Sequence, residues 1–107
     1  MTKSILIHEN TGDIEEVEID IDPQKNEIFK ILKGRQTFIG QWEDIDVVIM
    51  KAEDGKVTNM NTLPPPFDME EVMGKIILMR MDDNSDPQDF TLEEYQSFLL
   101  RNESIIV

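Results

Sequence analysis

Pro64, Pro65 and Pro66 stand side by side in "TLPPPFDMEEVMG", and they constrain how the rest of the chain can fold. Contiguous prolines remove successive amide donors, so this stretch cannot be a central strand. It must cross the surface as a stiff loop, with a short turn at 69–73. The sheet must then be assembled from segments on either side. Leu63 and Phe67 flank the prolines and are placed to pack the loop onto that sheet.

Before the prolines, "KSILIHENTGDIEEVEIDI" predicts a hairpin. Its first strand holds the apolar run Ile5, Leu6, Ile7. Asn10, Thr11, Gly12 and Asp13 supply turn chemistry. In the second strand Val17, Ile19 and Ile21 alternate with Glu18 and Asp20, giving one buried and one acidic face. "QTFIGQW" predicts a strand with Phe38 inward. "DVVIMKAEDGKVTNMN" predicts a second hairpin, with Val47 to Met50 in one strand, a turn at Asp54-Gly55 and a return starting at Val57. After the prolines, "KIILMRM" predicts a buried strand.

Two segments carry helical spacing. In "DPQKNEIFKILKG", Asp22 suits the cap, Pro23 the first helical position and Gly34 the left-handed stop. Ile28, Phe29, Ile31 and Leu32 make its apolar face. In "FTLEEYQSFLLRN", Thr91 and Glu94 form a capping box, and Phe90 with Tyr95 a hydrophobic staple. "SIIV" adds a short terminal strand. The expected fold is α+β, with a mainly antiparallel sheet of five to seven strands and two helices on one face. The order is ββ-α-β-ββ-loop-β-α(-β).

At 107 residues the chain is expected to form one domain, residues 1–107. It has no Cys, which fits a reducing, intracellular and cytoplasmic setting. The first apolar run is too short for a signal peptide, and no stretch approaches the roughly 20 apolar residues of a membrane span.

The outlying property is charge. There are 23 acidic residues against 10 basic ones, for a net charge of −13. Such a surface repels phosphate backbones and anionic membranes and favours a cationic partner or a metal. The exception is residues 23–42, where Lys25, Lys30, Lys33 and Arg35 outweigh Glu27. Lys30, Lys33 and Arg35 complement a helix C-terminus there.

Catalytic machinery is hard to compose from these residues. His8 is the one histidine, no Ser lies in a nucleophile elbow, and zinc would lack ligands. The five glycines, at 12, 34, 40, 55 and 74, are too scattered for a phosphate loop. Neither an enzyme nor a cofactor is expected.

One motif points to calcium. In "DDNSDPQDFTLEE", Asp82, Asn84, Asp86 and Glu93 fall at positions 1, 3, 5 and 12, the ligand spacing of an EF-hand loop. Position 6 is Pro87 where that loop needs Gly, position 8 is Asp89 where it is apolar, and a strand precedes it instead of a helix. The stretch therefore reads first as an acidic turn that starts a helix.

The candidates for partner contact are Trp42, an isolated indole beside acids, and the run Leu63, Pro64, Pro65, Pro66 and Phe67. Contiguous prolines can offer a polyproline II face, and Trp is a frequent interface anchor. Met69, Met73, Met79 and Met81 add adaptable apolar surface or core filling.

The layout "LKG" (32–34), "DVVIM" (46–50), "EDGK" (53–56), "NTLPPPF" (61–67), "VMGKIILMRMD" (72–82) and "DFTLEEYQSF" (89–98) resembles small uncharacterised domains of large DNA viruses of algae and of some phages. The resemblance covers most of the chain, and its motifs are structural. It implies a viral or virus-derived origin, within an infected host cell, and brings no catalytic residue with it.

Three functions are compatible with this reading. One is an accessory protein that binds another protein. A second is a nucleic-acid mimic, with Glu16, Glu18 and Asp20 starting a row of carboxylates spaced at about 7 Å, two strand residues per step. The third is a calcium-stabilised domain.

Overall fold

The structure is a computed structural model that describes residues 1–106, with side chains through Arg101. Strands β1 (Thr2–Ile7) and β2 (Ile14–Ile19) come first, then helix α1 (Glu27–Leu32) and strand β3 (Gln36–Trp42). A short 3-10 turn, Glu43–Ile45, leads into β4 (Val47–Ala52). The proline loop follows, then β5 (Ile76–Met81), β6 (Pro87–Gln88) and helix α2 (Leu92–Ile106).

The strands form one antiparallel sheet in the order β2-β1-β5-β4-β3. β6 adds to the end of β5 through Arg80–Gln88 and Met81–Pro87. β4 occupies one side of β5 from Ile76 to Arg80. β6 therefore continues the line of β1 on the other side. The fold is α+β, as the sequence predicts, but the helices do not share a face.

β5 explains why. Ile76, Ile77, Leu78 and Met79 are all fully buried, and successive strand residues point to opposite faces. Ile76 and Leu78 pack with Ile5, Ile7, Val47, Ile49 and the α2 residues Tyr95 and Phe98. Ile77 and Met79 pack with Leu6, Ile19, Met50 and the α1 residue Leu32. Each such side chain contributes about 1.5–3 kcal/mol by leaving water. Unbroken apolar runs, in place of alternation, mark strands buried on both faces.

α2 begins as its sequence requires. The Thr91 amide donates to Glu94 Oε1 at 3.2 Å, and the Glu94 amide donates to Thr91 Oγ1 at 3.2 Å. Phe90 and Tyr95 meet edge to face at 6.1 Å. The helix runs on through Ser104–Ile106, so no terminal strand forms there; Val107 lies outside the described residues.

α1 is shorter than its sequence predicts. Pro23 does not open it. The Asp22 carboxylate instead accepts from the Gln24 amide at 3.0 Å, holding a turn ahead of the helix. The left-handed residues at its ends are Asn26 and Lys33, and Gly34 is not one of them.

The second predicted hairpin is also absent. Val57 does not return beside β4, because β5 already occupies that place. Residues 56–62 are held by a single β-bridge, Thr58 with Met73, by backbone hydrogen bonds to Val72, Glu9 and Gly74, and by side chains. Asn59, buried, donates to the Gly74 carbonyl at 2.9 Å. Asn61 Nδ2 donates to the His8 and Asn10 carbonyls at 2.8 and 2.9 Å, and Asn61 Oδ1 accepts from the Gly12 amide at 2.8 Å. Asn61 fastens the segment to the β1–β2 turn, and Asn59 fastens it to Gly74, ahead of β5.

Candidate interaction surface

Trp42 ends β3 on the α2 face and is buried. Its ring meets Phe98 at 5.1 Å, Phe67 at 6.0 Å and Tyr95 at 6.5 Å between centroids. Its Nε1 donates to the Pro65 carbonyl at 3.1 Å. Leu63 and Pro64 are buried as well, Phe67 is half-buried, and Pro65 and Pro66 are exposed. Gly40 is part of this arrangement, since a Cβ there would overlap the Phe67 ring. Trp42, Leu63 and Pro64 thus serve the core instead of offering contact surface. The aromatic partners that bury the indole come from α2 and from the proline loop itself.

The acidic loop is organised around one carboxylate. Asp82 Oδ1 accepts from the Asn84 and Asp86 amides, each at 2.9 Å, and Oδ2 accepts from Gln88 Nε2 at 3.0 Å. The Asp86 amide's hydrogen bond, with those of Asn84 and Gln88, holds the Asp82 carboxyl below its ordinary range against the opposing effect of desolvation. Ser85 takes the left-handed conformation at φ 63°. Among the described residues, no three Asp, Glu, His or Cys side chains come together as a metal site would need. Asp82, Asp86 and Glu93, spaced with Asn84 in sequence as calcium ligands would be, form no such group. Asp82 is the template of the turn.

The carboxylate row on β2 is likewise interrupted. Glu16 Oε1 accepts from the Leu92 amide at 2.9 Å, at the start of α2. Asp20 Oδ2 accepts from Lys25 Nζ at 2.8 Å, and Asp20 Oδ1 from the Asp22 amide at 2.9 Å. The Lys25 hydrogen bond, with the Asp22 amide, lowers the Asp20 pKa, and Asp20 in turn raises that of Lys25. Among the described residues, Glu18 is the one of the three whose carboxylate has no hydrogen bond or ion pair.

The α1 face of the sheet is different. Between α1 and β3 lies an open groove of about 520 Å³, floored by Ile28, Met50 and Met81. Ile21, Phe29 and Phe38 line it and remain 42%, 53% and 60% exposed. Asp20, which pairs with Lys25, and Arg35 put charge on its lining. Phe38 therefore points outward, not into the core. The register slips by one residue between Phe38 and Gly40. Sequence reading missed this cluster, yet a signal was present. Ile28, Phe29, Ile31 and Leu32 are too many apolar positions for one face of a six-residue helix. At about 100° per residue, Phe29 must leave the face that Ile28 and Leu32 share.

A family model described as "Family of unknown function (DUF5880)" matches residues 5–98. The chain belongs to that family. Neither a curated protein nor a solved structure matches it. The matched span of this DUF5880 chain reaches from β1 to Phe98 on α2, and so takes in the aromatic cluster and the groove. Among the described residues no helix is long and apolar enough to cross a membrane.

Proposed function

We propose that this chain is an accessory protein that acts by binding another protein, and that the groove between α1 and β3 is the contact surface. The observation that carries this reading is the convergence of Ile21, Phe29 and Phe38 on one groove while all three stay exposed. Large apolar side chains gathered around a concavity are what an anchored contact requires, and scattered ones are not. The sequence resemblance to domains of large DNA viruses supports a virus-like origin, and the lack of Cys supports an intracellular setting.

The test is a photo-crosslinking residue placed at Phe38, compared with the same residue at Glu18 on the far edge of the sheet, in cells that make the protein. A discrete protein adduct at position 38 and none at 18 is expected. Equal, diffuse labelling at both positions would overturn the reading.

A further inference from the structure

We propose that the β3 edge and the groove beside it take a second copy of this chain, the two β3 strands running antiparallel across a two-fold axis near the middle of the strand. The inference rests on this face being a protein-binding surface, and it names the occupant.

The two edges of the sheet are unlike. The β2 edge carries Glu15, Glu16 and Glu18. The β3 edge, QTFIGQW, carries no charge and no proline over seven residues. Edge strands are ordinarily blunted by charge, by proline or by shortness, because their open backbone groups template pairing with another chain. An uncharged edge of this length is conspicuous in a chain of net charge −13. Among the described residues the backbone of Gln36–Trp42 is hydrogen-bonded toward β4 and to nothing on its outer side. The bulge between Phe38 and Gly40 bends the strand. It adds no charge.

The flanking residues select the occupant. Lys33 and Arg35 precede β3, and Glu43 and Asp44 follow it. Antiparallel self-pairing sets the basic start of one strand against the acidic end of the other, and two-fold symmetry makes the match twice. Lys33, Arg35 and Glu43 have no ion pair within the chain among the described residues, and Asp44 pairs with Arg101 where both side chains are more than half exposed. Over most of the remaining surface, two copies would meet acid to acid. An axis perpendicular to the sheet keeps both α1 helices on one face. Phe38 then lies beside its counterpart, and Phe29 flanks the pair.

The experiment is sedimentation equilibrium of the purified chain up to about 100 μM, above the micromolar range of weak specific contacts. A species of twice 12.4 kDa is expected. Phe38→Lys should return it to the monomer mass, and at dilutions where the wild type is also monomeric the two should melt at the same temperature, since that side chain is already exposed in the monomer. Arg35→Glu and Glu43→Arg should each weaken association at least tenfold, and the double variant should restore it, because each reversed charge again meets its opposite. A wild-type monomer throughout overturns the second copy. So does a dimer indifferent to Phe38→Lys and to the charge reversals. If the pure chain is monomeric while position 38 crosslinks to a different protein in cells, the binding surface stands and the self-pairing falls.

Discussion

The indole of Trp42 donates to the carbonyl of Pro65 at 3.1 Å, tying the end of β3 to a proline loop 23 residues further along the chain. This bond turns two features that looked like recognition elements into parts of one core. The indole supplies the area, and the loop supplies both an acceptor and the Phe67 ring. Trp42→Phe removes the donor and part of the packed surface, and should cost about 1–3 kcal/mol. Trp42→Ala should cost about 3–5 kcal/mol. Urea unfolding followed by circular dichroism measures both, and a midpoint unmoved by Trp42→Ala would contradict the packing.

Gly55 makes a sharper test of how sequence becomes structure. Asp54-Gly55 reads as a hairpin turn, in which Asn would replace Gly at little cost. In the structure Gly55 is held close to Met73 and Gly74, and a Cβ would overlap the Met73 carbonyl. Gly12 is the opposite case, with φ at +77° and open space around it. Gly12→Asn should therefore be tolerated, within about 0.5 kcal/mol. Gly55→Asn and Gly55→Ala should both destabilise by about 2 kcal/mol or more, since backbone must move. Paired thermal melts distinguish a turn glycine from a close-approach glycine.

The legible parts of this chain are those whose physics is local. The capping box at Thr91 and Glu94 involves atoms within one helical turn, so its spacing alone specifies it. The missing return strand is non-local. "KVTNMN" has strand composition, but the place beside β4 is taken by β5, whose four buried apolar residues gain more there. The helices' assignment to opposite faces was in principle readable from the unbroken apolar run in β5. The exposure of Phe38 was not, because it depends on a bulge and on the brevity of α1.

Asp82 should behave as a turn template and not as a metal ligand. Both of its oxygens already accept from the protein, through the Asn84 and Asp86 amides and Gln88. The melting temperature is expected to be the same in millimolar calcium and in chelator, because a ligand raises stability only by binding the native state. Asp82→Ala should lower the midpoint equally in both. A rise with calcium in the wild type that Asp82→Ala abolishes would reinstate the ion site.

Acid should loosen the start of α2. Burial pushes the Glu94 carboxyl upward, but the Arg80 hydrogen bond at 2.7 Å, the Thr91 amide and the Arg80 charge outweigh it and hold the group below its ordinary range. A carboxylate with a depressed folded pKa contributes stability that is present above its unfolded value, about 4.3. That contribution is lost as pH falls through the folded value. Glu94→Gln keeps the capping oxygen and removes the titration. Its unfolding free energy should therefore change less between pH 5 and pH 3 than the wild type's, with Asp20 and Asp82 supplying the remaining slope in both proteins.

Alkali acts on the same helix through Tyr95, with the opposite sense. Tyr95 is the one tyrosine of the chain, and only 1% of it is exposed. Burial among Trp42, Phe90 and their neighbours disfavours the phenolate and pushes its pKa well above the usual phenol range. In the unfolded chain the same group ionises near 10. The folded state therefore keeps its full stability below that pH and loses it as pH rises further, because only the unfolded chain can release the proton. With one tyrosine, tyrosinate absorbance reports this directly. The signal should stay low past pH 11 and then rise together with the loss of circular dichroism. Ionisation near pH 10 with the fold intact would mean that the α2 face is open to water at Tyr95.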